Sequence, residues 1–211
     1  MRTGQNLLGP LRHVTTYYRT PPVGRVAADL ELGAGVPSGL SEVTGELFDA
    51  QGLDAVLPKV LDGALTLMGA EAGNIQLLDP DEDSLVLVTQ SGFGAEFLDH
   101  FAVVRDSGSV CGRAALRGVQ VVVDDVKQDL TSAPHRRVFR IAGVRSVVST
   151  PLLDGTGRLI GMISTHLPWP GRPPERDLRG MRLYSQLAGE VVAGELAMLS
   201  PEVQGPEQAT G

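Results

Sequence analysis

The sequence predicts an α+β fold: an antiparallel sheet of about five to six strands with the N- and C-terminal helices packed on one face. The first observation is a pair of apolar, β-branched runs within 143–166, separated by Asp154-Gly155-Thr156-Gly157. Such a pattern is typical of an antiparallel hairpin. The second observation is another pair of strand-like runs at 73–79 and 85–89, joined by an acidic turn. Helical periodicity precedes this pair and follows the 143–166 hairpin, which predicts helices from both chain ends.

Three regions follow from the composition. Residues 1–38 are rich in Gly, Pro and Thr, which predicts a flexible N-terminal arm with a short helix near 26–32. Residues 39–198 carry the folded domain with its flanking helices. Residues 199–211 have the composition of a disordered tail.

The helices that flank the sheet are predicted from apolar stripes. A short helix over 41–49 leads into a longer one over 53–68, whose apolar residues recur at helical spacing. Pro58 lies inside that second pattern and predicts either a kink or a helix start one turn later. A long helix is expected over 175–198, after two Pro-rich bends.

The 143–166 hairpin is expected at the centre of the sheet, because its arms are apolar on both faces and must be covered on both. Strict alternation places Leu159 with Ile163 on one face, and Ile160 with Met162 on the other. Pro151 has no N–H to donate, so it belongs at a bulge or where the neighbouring strand ends. Hydroxyls buried in these arms must either bond within the sheet or face a polar-lined cavity.

The segment between the two hairpins is expected to cover the second face of the sheet. Its pattern predicts a short helix around Phe97, Leu98 and Phe101, and others over 109–117 and 133–142, with Gly118 ending the second of these. A strand is expected over 119–123.

Composition and charge exclude several classes of function. The net charge of −7 and the absence of a long Lys/Arg block argue against a nucleic-acid partner. No apolar run approaches the roughly 20 residues of a membrane span, and the N-terminus has no apolar core of a secretory signal. A single cysteine excludes an internal disulfide framework. We therefore expect a cytoplasmic protein without a membrane partner.

Several short motifs occur in a characteristic order. They are Gly108-Ser-Val-Cys-Gly-Arg-Ala114, Val121-Val-Val-Asp-Asp-Val126, Gly143-Val-Arg-Ser146, Ser149-Thr-Pro-Leu152 and Gly161-Met-Ile-Ser-Thr-His166. In this order they resemble a GAF domain of bacterial signalling proteins, over about 53–193. The resemblance implies a small-molecule pocket on the sheet face opposite the terminal helices. It also implies that those helices pair in a homodimer and pass ligand state to a signalling partner. No recognisable output domain accompanies the motifs.

By this resemblance the pocket would be lined from 93–117, 124–142 and the inward side of 147–166. The candidate pocket residues are Phe93, Phe97, His100, Phe101, Cys111, Asp125, His135, Arg136, Ser149, Met162, Ser164 and His166.

Enzymatic and cofactor chemistry is less well supported by the same residues. Cys111 invites comparison with phytochrome-like bilin proteins and with free methionine sulfoxide reductases, but the chain has no second thiol to resolve a sulfenate. A structural role for Cys111 is the simpler interpretation. Asp124 and Asp125 are adjacent, so in a strand they point to opposite faces and cannot act as a carboxylate pair. No catalytic residue and no metal site is predicted.

Two cofactor hypotheses remain open. His100 or His135 could ligate a haem, with Phe93, Phe97 and Phe101 as an apolar lining. Arg136 and its neighbouring arginines could meet a cyclic nucleotide, although exposed arginine at a helix rim is the commoner arrangement.

The leading interpretation is a non-enzymatic, cytoplasmic GAF-like sensor that binds a small molecule and acts as a homodimer. A small redox enzyme of the methionine sulfoxide reductase type is the alternative from another class. A third interpretation is a fold whose pocket is filled by its own side chains and that serves only in dimerisation or protein interaction.

Overall fold

The computed structural model describes residues 15–16, 40–48 and 50–199. The predicted N-terminal arm, with its short helix near 26–32, lies outside the described residues apart from Thr15–Thr16. Of the predicted tail, only Leu199 is described, and it is the last residue of the C-terminal helix.

The elements follow one another in the predicted order, apart from two strands of two residues each, β1 and β4, that were not predicted. The helices are α1 (Leu40–Phe48), α2 (Leu53–Met68), α3 (Ala95–Phe101), α4 (Val110–Arg117), α5 (Arg136–Ile141) and α6 (Glu175–Leu199). The strands are β1 (Thr15–Thr16), β2 (Ala72–Asp79), β3 (Ser84–Ser91), β4 (Val103–Val104), β5 (Val121–Val123), β6 (Ser146–Leu153) and β7 (Leu159–Leu167). The predicted helix over 133–142 divides into a single 3-10 turn, Ala133–His135, followed by α5.

The strands form one sheet in the order β1-β3-β2-β7-β6-β5, with β4 also paired to β3. All pairs are antiparallel except β1 with β3. The β6–β7 hairpin has β2 on one side and β5 on the other, so its predicted central position is confirmed. β5 pairs with β6 only as far as Ser149, and Pro151 therefore lies beyond the end of the neighbouring strand.

The terminal helices α1, α2 and α6 cover one face of the sheet. Their apolar stripes bury a core with the strand residues Ile75, Leu77, Val148 and Ile163. α2 begins at Leu53 and continues through Pro58, so the alternative of a later start is wrong. Burial of this core is the main stabilising contribution to the fold.

Two glycines allow α6 to approach its neighbours closely. A Cβ at Gly63 in α2 would overlap the hydroxyl oxygen of Tyr184 in α6, and that hydroxyl donates to the carbonyl oxygen of Val60 at 3.0 Å. A Cβ at Gly189 in α6 would overlap the backbone of Leu153 in β6. α6 therefore packs directly against the backbone of β6. The same strand contributes side chains, such as Val147, to the other face of the sheet.

The other face is covered by α3, α4 and α5. Ser109 caps the N-terminus of α4 by accepting from the Gly112 N–H at 3.1 Å. Gly118 ends α4 in the left-handed conformation, as predicted. A second core lies between these helices and the strand residues Val123, Val147 and Met162.

A β-bulge corrects one detail of the predicted alternation. Leu152 pairs with Gly161 but Leu153 pairs with Leu159, which leaves Ile160 as an extra residue in β7. Beyond such a bulge the side chains change faces. Leu159 accordingly packs on the α3–α5 side, and Ile160 packs on the side of the terminal helices.

No helix within the part of the chain that the structure describes is long and apolar enough to cross a membrane.

Candidate functional site

A small cavity lies between the sheet and the α3–α5 layer, on the face opposite the terminal helices. About 10 Å³ of it is open to the centre of a water molecule, which is close to the space that a single water needs. The residues that line it are Asn74, Gln76, Phe97, Phe101, Val110, Cys111, Phe139, Val147, Ser149, Ser164 and His166.

The floor of the cavity is a row of polar side chains on adjacent strands. Asn74 in β2 pairs with Ser164 in β7, and Ser164 pairs with Ser149 in β6. The two serine hydroxyl oxygens lie 2.7 Å apart and bond to each other. Asn74, Ser149 and Ser164 are at most 3% exposed. Both alternatives expected for these hydroxyls hold at once, because the serines bond to each other within the sheet and also face a cavity.

Gln76 in β2 and His166 in β7 lie on opposite sides of this row, each two residues along its strand, and each has an unused polar atom. The Gln76 amide donates through Nε2 to the carbonyl oxygen of Phe101 at 3.1 Å. Its Oε1 atom is buried and has no hydrogen-bond partner among the described residues. His166 Nδ1 is likewise buried without a partner in that part of the chain. Burial lowers the pKa of His166 to about 3, so the imidazole is neutral at physiological pH.

The roof of the cavity is aromatic. Phe97 packs against Phe101 with ring centroids 4.7 Å apart, and Phe101 stacks on Phe139 at 5.6 Å. Phe93 stacks on Phe97 at 3.6 Å and meets the edge of the His166 ring at 4.9 Å. The polar floor is therefore closed by a continuous aromatic layer, to which Phe93 contributes from behind Phe97.

His100 and His135 lie behind this layer. His100 Nε2 and His135 Nδ1 are 2.9 Å apart, and His135 Nε2 is 3.9 Å from Asp106 Oδ1. Burial lowers the pKa of His135. Each histidine packs on the Phe101 ring, so the pair supports the roof and does not line the cavity.

Cys111 reaches the cavity from the first turn of α4. It is 7% exposed, and its thiol donates to Ser109 Oγ at 3.5 Å. Burial raises the pKa of this thiol, which disfavours the reactive thiolate.

The remaining candidates are placed away from the cavity lining. Asp125 forms a bidentate ion pair with Arg145, with the closest atoms 2.8 Å apart, and this hydrogen bonding lowers the pKa of the Asp125 carboxyl. Arg136 donates to the carbonyl oxygens of Val126 and Asp129, and so holds the loop before α5. Met162 is fully buried in the core on this face of the sheet.

Sequence reasoning missed Asn74 and Gln76 as lining residues, whereas Val110, Phe139 and Val147 fall within the predicted lining ranges but were not among the named candidates. Asn74 and Gln76 had a recognisable signal, because two polar residues alternate with apolar Ile75 and Leu77 in a strand. That alternation places both amides on one face of β2. Because β2 lies inside the sheet, between β3 and β7, that face is buried.

Among residues 15–16, 40–48 and 50–199, no group of three or more His, Cys, Asp or Glu side chains is arranged to hold a metal ion.

Comparison with solved structures shows the same fold in several bacterial proteins. The free methionine-R-sulfoxide reductase from Neisseria meningitidis, in complex with its substrate, has a TM-score of 0.63 and 21% identity, over 75% of this chain and 89% of that one. The GAF domain of an Acinetobacter phosphoenolpyruvate-protein phosphotransferase has a TM-score of 0.61 and 16% identity, over 76% and 93%. A GAF domain from A. aeolicus, in an inactive state, has a TM-score of 0.57 and 17% identity, over 77% and 96%.

No curated protein matches the sequence. The family model of the GAF domain matches residues 50–193, which include all the main strands, α2–α5 and most of α6. This chain belongs to the GAF domain family, whose members are generally small-molecule-binding signalling modules.

Proposed function

We propose that this protein is a non-enzymatic, cytoplasmic sensor that binds a small molecule in the cavity between the sheet and the α3–α5 layer. The observation that carries the proposal is a pair of buried atoms at the cavity, Gln76 Oε1 and His166 Nδ1, that have no hydrogen-bond partner in the described part of the chain. A buried polar atom without a hydrogen bond is costly. A ligand that bonds to both atoms would recover this cost, which makes the floor a suitable binding surface.

Binding requires movement of the roof, because the cavity in its present form has room for about one water molecule. α3 is the element best suited to move. It is seven residues long, and its Phe97 and Phe101 rings occupy the space directly above the polar floor. A ligand would replace these rings above Ser149 and Ser164, and the displacement of α3 would report its presence.

The proposed signalling unit is a homodimer formed by the terminal helices. α6 carries an apolar stripe of Leu183, Leu187 and Met198 that is 37%, 37% and 81% exposed. These positions recur at helical spacing on the side of α6 away from the sheet. Pairing with a second copy would bury this stripe. The terminal helices of the two copies would then form a bundle to which a signalling protein could bind.

The absence of an enzymatic role is supported by the state of Cys111. The sequence has one cysteine, and its buried thiol has a raised pKa. Reduction of a sulfoxide by a thiolate leaves a sulfenate that needs a second thiol for its resolution. The fold shared with the Neisseria reductase is therefore not accompanied by a resolving thiol in this chain.

Native mass spectrometry of freshly purified protein, together with an absorbance spectrum, tests the proposal. We expect a bound small molecule, or else a ligand recovered when the protein is incubated with a fractionated cell extract. A visible absorbance band would instead indicate a haem or bilin chromophore. Protein that retains no mass from any fraction, and whose α3 amide resonances never shift, would contradict the sensor and favour a filled pocket used only for protein interaction.

A further inference from the structure

We infer that the ligand of this cavity is a small uncharged molecule with an apolar body and at least one N–H or O–H donor. This inference rests on the proposed function and specifies its ligand class. It follows from three properties of the lining: its charge, its unused hydrogen-bonding atoms and its aromatic walls.

No group in the lining carries a charge at neutral pH. The polar side chains that border the cavity are amides, hydroxyls, one imidazole and one thiol, with no Asp, Glu, Lys or Arg among them. His166 is kept neutral by its burial. A phosphate or carboxylate buried here would be an unpaired charge, which is strongly disfavoured.

The arginines nearest in the covering layer have other partners. Arg113 donates to the Asp129 carboxylate at 2.7 Å and to Ser132, and its side chain is only 14% exposed. Arg145 is paired with Asp125, and Arg136 is bonded to backbone carbonyls. To recruit one of these three arginines, a cyclic nucleotide would therefore have to break an ion pair or displace hydrogen bonds to backbone carbonyls.

The requirement for a donor comes from Gln76. The Phe101 carbonyl can only accept a hydrogen bond, so the amide must direct Nε2 toward it. The remaining Oε1 atom can only accept, and it has no partner among the described residues. Only a ligand with an N–H or O–H group satisfies it. His166 Nδ1 can accept or donate according to its tautomer, and so it tolerates either kind of group.

The apolar body is indicated by the walls. Phe97, Phe101 and Phe139 form the roof, and Val110 and Val147 complete the lining. Movement of α3 would break contacts among these phenylalanine rings. An aromatic or compact apolar ligand would replace them with its own contacts to the rings.

Three probes of similar size separate these requirements when titrated into the ¹⁵N-labelled full chain at neutral pH. Benzamide is neutral and carries a donor, benzoate is an anion, and methyl benzoate is neutral without a donor. We expect benzamide to shift the amide resonances of β2, β7 and α3. Benzoate and methyl benzoate should bind about tenfold or more weakly, because each leaves a buried group unsatisfied.

Gln76→Leu removes the acceptor and should abolish the preference for benzamide over methyl benzoate. Thr165→Val is the matched control, because Thr165 lies in β7 beside His166 but its side chain points to the opposite face. Its buried hydroxyl also lacks a partner among the described residues, and the preference should be unchanged. The wild-type probe series remains decisive if Gln76→Leu does not fold.

Benzoate that binds in the cavity as tightly as benzamide would overturn the inference and leave the proposed sensor intact. Methyl benzoate that equals benzamide would overturn the donor requirement and with it the inference. Failure of all three probes to shift the cavity resonances would also overturn it. Native mass spectrometry then decides separately whether the sensor function falls as well, since a charged ligand retained by the protein would preserve that function.

Discussion

The Gln76 amide donates from β2 to the carbonyl oxygen of Phe101, the last residue of α3, at 3.1 Å. A side chain from the floor of the cavity thus holds the end of the helix that covers it. The same amide carries the oxygen that a ligand would use, which has no partner within residues 15–16, 40–48 and 50–199. Ligand recognition and the position of the roof therefore depend on one side chain.

Gln76→Leu should loosen α3 locally. Loss of one buried hydrogen bond to a carbonyl oxygen corresponds to about 1 kcal/mol, or roughly fivefold faster amide exchange through local opening. Hydrogen exchange of the α3 amides measures this, with Thr165→Val as the control. Unchanged exchange in α3, in a variant that has lost the side-chain bond, would show that the roof is held by ring packing alone.

The hydrogen bond between Ser149 and Ser164 should give a clear coupling in a double-mutant cycle. Each single alanine variant leaves a buried hydroxyl without its 2.7 Å partner and should cost about 1–3 kcal/mol in free energy of unfolding. The double variant removes both groups, so its cost should fall short of the sum by about 1 kcal/mol. Denaturant unfolding of the four proteins measures the coupling, and strictly additive costs would contradict it.

His166 should make the protein less stable as the pH falls below neutrality. The pKa of His166 is about 3 in the folded protein because of burial, against about 6.5 when unfolded. As the pH falls, His166 therefore binds a proton in the unfolded chain before it does so in the folded protein. Below about pH 6.5 this binding stabilises the unfolded state and lowers the free energy of unfolding. Between about pH 7.5 and about pH 5.5 this single group should cost about 1.4 kcal/mol.

The measurement is the free energy of unfolding across this pH range for the wild type and His166→Gln. Between about pH 7.5 and about pH 5.5, the free energy of unfolding of the variant should fall by about 1.4 kcal/mol less than that of the wild type. The pKa of His135 is also lowered by burial, so both proteins keep a residual slope, and the difference between them isolates His166. Parallel curves would mean that the pKa of His166 in the folded protein equals its value in the unfolded chain.

Leu187→Glu should dissociate the proposed homodimer. Leu187 is 37% exposed and lies in the apolar stripe of α6, where a buried carboxylate would be unpaired. Light scattering over a range of concentrations should show a dissociation constant weakened by about tenfold or more. Gln186→Glu introduces the same charge at the neighbouring exposed position and should leave the dimer unchanged. A wild type that is monomeric at every concentration would contradict the dimer itself.

Cys111→Ser should not change the activity of the protein, because the wild type is expected to have no sulfoxide reductase activity. Neither the wild type nor the variant is expected to reduce free methionine sulfoxide in the presence of a thiol reductant. The buried wild-type thiol should react slowly with a disulfide reagent until the protein unfolds. Turnover by the wild type that disappears in the variant would establish a redox enzyme and remove the non-enzymatic assignment.

Periodicity predicted the elements well where one face of a helix or strand is buried against a single layer. The bounds of α2 agree with the predicted 53–68, even though Pro58 lies within the helix. Pro58 is the sixth residue of α2, beyond the first turn, so it removes one i→i−4 hydrogen bond, and burial of the apolar stripe of the helix outweighs that loss. Alternation failed at Leu159 and Ile160, since one extra residue in β7 reverses the faces.

The candidate site was harder to predict, because its residues come together only through strand order. Ser149, Ser164 and His166 were identified from polar positions in apolar strands, and the structure places all three in the lining. Arg136 was included for its charge and Asp125 by the family resemblance, but Arg136 is engaged by backbone carbonyls and Asp125 by Arg145. Sequence alone does not reveal which arginine pairs with which carboxylate across a loop.

The contact between Gly189 and the backbone of Leu153 limits how the terminal helix can respond to the sheet. Because no side chain cushions this contact, α6 cannot slide along β6 without a clash. Ser149 lies in the same strand, four residues before Leu153. A ligand that shifts the strand at Ser149 would tilt α6 about Gly189 as a lever about a fixed point. The largest displacement would be at the C-terminal end of α6, near the exposed Met198. A protein bound at that end of the helix would sense the movement.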